Sequence, residues 1–216
     1  MTEIKICGLT CEDDIKTVNE LEVEYAGFVF VKKSKRYITP EVSKHLVSGL
    51  NRKIKSVALF VDAYFEDIEV VMKHVNFDYI QLHGHESVEK IKDLSFRLGK
   101  PIIKSIGVSD SFDMTTTSRY YSVVDKLLFD AKPKIPANLP GGNGEPFSWE
   151  ILKNIQFPIP WILAGGLDSN NISDALKLLS PDCVDVSSGV EKHAGKKDFR
   201  KVSAFVDEVR SIQNDS

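Results

Sequence analysis

Cysteine is scarce in this sequence of 216 residues: three, at positions 7, 11 and 183, are too few and too scattered for a disulfide framework. Cys7 and Cys11 also lack the second ligand pair that a zinc site requires, and a reducing, cytoplasmic setting is expected. Long apolar runs are missing as well. Nothing approaches the roughly 20 consecutive residues that span a bilayer, and no basic leader with an apolar core opens the chain, so no membrane partner is expected. Basic charge is not in excess: 28 Lys and Arg against 31 Asp and Glu leave a formal net charge of -3. That balance argues against nucleic acid, whose phosphates call for a clustered basic face. There is no Gly-x-Gly-x-x-Gly after the first strand-like segment, and no other cofactor signature. His83 and His85 have no carboxylates spaced to complete a metal site. The expectation is neither cofactor nor metal.

What the chain does have is a regular alternation. Short β-type runs ending in Gly, Asp or polar residues fall at Ile4 to Cys7, Ala26 to Phe30, Ser56 to Val61, Tyr79 to His83, Ile102 to Gly107, Lys126 to Asp130, Trp161 to Ala164 and Cys183 to Ser187. Helical patterns follow them at about Asp13 to Glu24, Pro40 to Leu50, Phe65 to Val75, Ser87 to Leu98, Ser111 to Tyr121, Trp149 to Asn154, Asn171 to Leu179 and Phe199 to Ile212. Eight strand–helix units in 216 residues recur about every 27. Such alternation implies parallel strands, and eight units favour an α/β fold closed into a (βα)₈ TIM barrel over an open doubly wound sheet. No linker divides the chain, so residues 1–216 are expected to form one domain.

In such a barrel the active site lies at the C-terminal ends of the strands. Strand 1 there delivers Cys7, strand 2 runs into Lys32 to Arg36, strand 4 ends at His83 and strand 6 at Asp130. The last two strands run into Ala164-Gly165-Gly166-Leu167 and Ser187-Ser188-Gly189-Val190, small enough for backbone N–H groups to approach a phosphate. Each feature has a plainer alternative. Cys7 could be a small buried hydrophobe, Gly165-Gly166 a tight turn, Lys32 to Arg36 a solvated loop, Asp130 a cap and His83 an ordinary loop histidine. The long irregular stretch Ala131 to Phe147, with four prolines and Gly141-Gly142-Asn143-Gly144, is expected to be a mobile lid. Period two adds one further expectation. Lys5 points inward with Cys7, Asp185 points inward on the neighbouring strand 8, and the two should pair beneath the site, with the ammonium favouring the thiolate.

Taken together, Lys5-Ile6-Cys7-Gly8-Leu9-Thr10, Gly27-Phe28-Val29-Phe30, Ser34-Lys35-Arg36-Tyr37, Gln81-Leu82-His83-Gly84, Leu128-Phe129-Asp130, Leu163-Ala164-Gly165-Gly166-Leu167 and Asp185-Val186-Ser187-Ser188-Gly189-Val190-Glu191 make the chain resemble the phosphoribosylanthranilate isomerase family end to end. The resemblance implies an enzyme of tryptophan biosynthesis: an aldose–ketose isomerase that performs an Amadori rearrangement on a phosphosugar-anthranilate without cofactor or metal. It further implies Asp130 as general acid, Cys7 as general base, Arg36 as partner of the anthranilate carboxylate, and His83, Gly165, Gly166, Ser188 and Gly189 as substrate contacts. Monomer and homodimer both stay open. Another sugar-phosphate (βα)₈ enzyme, or a phosphosugar-binding barrel without activity, is the competing reading. The long loop departs from the family's usual Gly-Gly-Thr-Gly and Phe-Asp-Trp at Asn143, Glu145-Pro146 and Ser148. Serine is as good an N-cap as aspartate, so a helix should still start there.

Overall fold

The computed structural model describes residues 2–109, 116–131 and 147–214. Eight parallel strands close on themselves in chain order: β1 (Glu3–Cys7), β2 (Tyr25–Val29), β3 (Lys55–Phe60), β4 (Tyr79–Leu82), β5 (Ile102–Val108), β6 (Lys126–Ala131), β7 (Trp161–Leu163) and β8 (Cys183–Val186). Closure is made by β8 against β1, with Ile4 opposite Val184 and Lys5 opposite Asp185. Among the described residues, six α-helices accompany them: α1 (Glu12–Glu20), α2 (Pro40–Ser48), α3 (Phe65–His74), α4 (Val88–Leu98), α5 (Ile172–Leu178) and α6 (Phe199–Asn214). After β8 comes a single 3₁₀ turn, Ser188–Val190, and then a short antiparallel hairpin of β9 (Glu191–His193) and β10 (Lys196–Lys197).

The alternation in each strand sorts side chains into two apolar layers. Ile4 and Ile6, Ala26 and Phe28, Ala58 and Phe60, and Ile80 and Leu82 face outward. They pack with Ile15 and Val18 of α1, Ile68 and Val71 of α3, and Ile91 and Leu94 of α4. Tyr25, Val57, Ile103, Leu128, Ile162 and Cys183 fill the barrel itself. Burying each large apolar side chain contributes about 1.5–3 kcal/mol, and the outer layer is by far the larger. Helix starts follow local chemistry. Thr39 Oγ1 accepts from the Val42 N–H with Pro40 at the first helical position, and Ser87 Oγ accepts from the Lys90 N–H.

Four acids tie the bottom of the barrel together. Glu24, Asp78, Asp125 and Asp182 each precede an even-numbered strand, and each carboxylate accepts an N–H at the start of the odd strand before it, from the second residue of β1 and β3 (Ile4, Ser56) and the first of β5 and β7 (Ile102, Trp161), at 2.7–2.9 Å. A rim N–H that the neighbouring strand's ladder does not reach would otherwise go unpaired.

One expected helix is not found as such, and a second is only partly described. The pattern at Trp149 to Asn154 yields only a 3₁₀ turn, Trp149–Ile151, and Ser148 makes no side-chain cap. Asn154 turns the chain with φ +64°, and Pro158 and Pro160 follow four and six residues later, so the segment has little room to propagate. Of Ser111 to Tyr121, the described part is a 3₁₀ turn at Thr117–Tyr120. Its run of Thr and Ser loses rotamer freedom in a helix and offers the backbone competing hydrogen bonds. The expected lid over Ala131 to Phe147, with Asn143 and Glu145-Pro146, lies outside the described residues apart from its two end residues. No described helix is long and apolar enough to cross a membrane.

Candidate active site

At the C-terminal ends of the strands lies a cavity of about 400 Å³ lined by Cys7, Arg36, His83, Asp130, Gly165, Gly166 and Ser188. These are seven of the eight candidate residues. Gly189 is not part of the lining; a side chain there would run into the Leu167 carbonyl. Cys7 and Asp130 come from β1 and β6, which the strand order separates by β7 and β8 on one side and by β2 to β5 on the other. Both residues line the same cavity.

Asp130 is held from two directions. Its Oδ1 accepts the Ala131 N–H at 2.8 Å, and its Oδ2 lies 2.9 Å from His83 Nε2. On the other ring nitrogen of His83, Nδ1, sits the side-chain amide of Gln81 at 3.0 Å. The loop carrying His83 is pinned by a buried ion pair: Lys104 donates to Glu86 at 2.9 Å and to the Gly84 carbonyl at 2.7 Å, while Glu86 accepts the N–H groups of Asp62 and Gly84. Burial pushes the Lys104 ammonium below its ordinary value, with Glu86 opposing. Gly165 must be glycine. Its φ is +87°, and a side chain would strike the Ala131 N–H and the Asp130 carboxylate.

Beneath Cys7, Lys5 is fully buried and donates to Asp185 Oδ1 at 2.9 Å, the pair that strand periodicity predicts. Burial alone would lower the Lys5 ammonium, but Asp185 and the thiol outweigh it and hold it above its ordinary value. Gly27 makes room for this arrangement, because a Cβ there would sit 2.8 Å from Cys7 Sγ and 3.1 Å from Lys5 Nζ. The expected thiolate-favouring effect is present but does not prevail. Burial raises the Cys7 thiol above its ordinary value, and Lys5 and Lys197 only partly offset it.

Arg36 is committed differently from the expectation of a free carboxylate anchor. Its Nε and Nη2 form a fork on Glu191, at 2.7 and 2.8 Å. Among the described residues no other hydrogen bond engages Arg36's Nη1 or the outer hydrogen of Nη2, and these can meet a ligand. Glu191 also accepts from the buried Lys197 at 3.0 Å. Burial pushes the Glu191 carboxyl up, yet Arg36 and Lys197 outweigh it and leave it lowered. Lys197 in turn is lowered by its burial. Sequence reasoning singled out neither Gln81, Glu191 nor Lys197 as individual contributors. The first two stood in quoted motifs, and Lys197 carried no signal because its hairpin is too short to show a period.

Removing Lys5 tests the lower half of the site. Lys5→Met should cost about 3–5 kcal/mol in chemical denaturation, since it strands a buried carboxylate. It should also move the alkylation profile of Cys7 to higher pH, because the nearest cation is gone. An unchanged profile would reduce Lys5 to a structural role.

The same architecture recurs in known proteins. The sequence profile described as N-(5'phosphoribosyl)anthranilate (PRA) isomerase matches residues 4–208. The N-(5'-phosphoribosyl)anthranilate isomerase of Paramagnetospirillum magneticum is 41% identical over 208 residues, covering 96% of this chain and 97% of that protein. The enzyme of the same name from Thermoanaerobacter sp. strain X514 is 39% identical, covering 99% of this chain and all of its own. Among solved structures, the phosphoribosyl anthranilate isomerase of Thermotoga maritima superimposes with a TM-score of 0.88 at 32% identity, over 98% of this chain and 100% of that one. Another phosphoribosyl anthranilate isomerase, in complex with reduced 1-(o-carboxyphenylamino)-1-deoxyribulose 5-phosphate, gives a TM-score of 0.83 at 32% identity, over 98% and 100%. With a profile spanning nearly all of its length and relatives this similar from end to end, the chain belongs to the N-(5'-phosphoribosyl)anthranilate isomerase family.

Proposed function

We propose that Cys7 and Asp130 divide between them the two proton transfers of this chain's reaction. The chain is an aldose–ketose isomerase of tryptophan biosynthesis, converting N-(5-phosphoribosyl)anthranilate into 1-(2-carboxyphenylamino)-1-deoxyribulose 5-phosphate. Asp130, as acid, protonates the furanose ring oxygen; the C1–O bond breaks toward that oxygen while the anilino nitrogen lone pair forms a C=N bond to C1. Cys7, as thiolate, then takes the C2 proton. The C2–H electrons form a C1=C2 bond, the C=N pair returns to nitrogen, and the resulting enol tautomerises to the ketose. Asp130 ends without its proton and Cys7 with one, so solvent must return a proton to the acid and remove one from the base.

The observation that carries this reading is the placement of Cys7 and Asp130 on one cavity from well-separated strands, Asp130 backed by His83. Acid and base act on different substrate atoms, so a gap between them is a requirement. The phosphate is assigned to the backbone at Gly165, Gly166, Ser188 and Gly189, with Gly189 acting through the turn it shapes. That a related isomerase is solved with a reduced product bound fits a phosphosugar ligand of this kind. Residues 1–216 act as one catalytic domain. Free cysteines at 7, 11 and 183 suit a cytoplasmic enzyme, and the reading requires no second copy, leaving monomer or homodimer equally compatible.

The test is to incubate the pure protein with freshly generated phosphoribosylanthranilate and follow loss of the substrate's fluorescence, with Cys7→Ala alongside. Arg36 supplies a separate check. Its remaining N–H groups are assigned to the anthranilate carboxylate, a planar partner for a planar guanidinium. Arg36→Met is therefore expected to raise KM strongly and to change kcat less. Were KM unchanged and kcat abolished, the carboxylate assignment would be wrong.

A further inference from the structure

Gln81 lies within the barrel on β4, two residues before His83 and on the same side of the strand. It is fully buried, between Leu59 and Ile103 in the ladder. Its Nε2 meets His83 Nδ1 at 3.0 Å, and its Oε1, also buried, has no hydrogen-bond partner among the described residues. A buried amide with one half unpaired is an expensive way to fill space, where leucine or methionine would fit. Such exceptions call for an explanation beyond packing. The explanation nearest at hand is the ring it touches.

An amide nitrogen only donates, so the Nδ1 that faces it must offer a lone pair, and a neutral His83 then carries its proton on Nε2. That N–H points at Asp130 Oδ2, 2.9 Å away. We propose that Gln81 is a positioning residue that sets the His83 tautomer, so that an N–H rather than a lone pair faces Asp130 as the acid gives up its proton. The proposal rests on the assignment of Asp130 as general acid.

The chemistry is differential. While Asp130 is a neutral carboxyl, the His83 contact is an ordinary hydrogen bond; as the proton passes to the substrate ring oxygen, negative charge develops on Asp130. Both of its oxygens are then met by donors, the Ala131 N–H on Oδ1 and His83 Nε2–H on Oδ2. Hydrogen bonds to a carboxylate are roughly twice as strong as those between neutral groups, so the contact strengthens along the reaction coordinate. In the other tautomer a nitrogen lone pair would oppose the forming charge. The amide turned by 180° would present Oε1 to Nδ1 and select that unproductive tautomer, which is why the proton's position decides the matter.

Long-range ¹H–¹⁵N imidazole spectra of the full-length protein read the tautomer directly, with His83 assigned by the loss of its signals in His83→Asn. The wild-type ring is expected as Nε2–H. In Gln81→Glu the new carboxylate only accepts, and Nδ1 should become protonated. Gln81→Met keeps the volume and removes the donor. It should lower kcat about 10–100-fold with KM little changed, below the 10²–10⁴ that a general acid supplies outright. A wild-type ring protonated only at Nδ1, a Gln81→Glu spectrum like wild type, or full kcat in Gln81→Met would each overturn the proposal. Should Gln81→Met fail to fold, the wild-type and Gln81→Glu spectra still decide. Failure of the acid assignment itself would show separately, as an Asp130→Asn protein that retains its rate.

Discussion

Asp130→Asn is expected to lower kcat about 10²–10⁴-fold while leaving KM within the range of the parent protein. Asparagine has the shape of aspartate and its single amide oxygen can still accept from Ala131, so the cavity wall and the groups assigned to phosphate and carboxylate stay in place. What it cannot do is release a proton to the ring oxygen, and ring opening then has to take that proton from water. The loss should appear in single turnovers as well as in the steady state, because it lies in chemistry and not in product release. If KM rises and kcat stays, Asp130 is a binding group and the acid must be sought elsewhere on the cavity.

Cys7→Ala is expected to lower kcat by a comparable factor, again with little change in KM. Its particular signature is pH dependence. The thiol is the protonated form of the base, and burial raises its pKa above the ordinary value of 9.0. Below that value the thiolate is the minor species, falling tenfold for each unit of pH, so kcat/KM of the parent should rise with pH across the neutral range. Alkylation of Cys7 in the ligand-free protein should likewise still be climbing at pH 9.0. A plateau well below that pH would mean that Lys5 and Lys197 outweigh burial, and that the resting base is already a thiolate.

Much of the architecture was legible because its signals are local. Period-two runs such as Ile4 to Cys7 depend on neighbours a few residues away, and all eight strands lie where the runs place them. The segment from Trp149 to Asn154, read as a helix, failed for the same reason turned around. Ahead of Pro158 it has some apolar spacing but too little length to propagate a helix. The hairpin Glu191–Lys197 went unseen, although it supplies the Glu191 fork that holds Arg36 and the Lys197 that balances Glu191.

By itself the sequence determined which chemical groups stand at the strand ends, with Cys7 on the first and Asp130 on the sixth. It also determined that Lys5 and Asp185 point inward on strands that closure makes neighbours. Those follow from alternation and from the count of strand–helix units. Only the tertiary structure decided that His83 rests on Asp130 with Gln81 behind it, that Arg36 spends one edge of its guanidinium on Glu191, and that the thiol is governed more by burial than by its lysine. Asp130 and His83 are 47 residues apart, and Arg36 and Glu191 are 155 apart. No local period encodes such separations; they come into being when the sheet closes and takes the groups out of water.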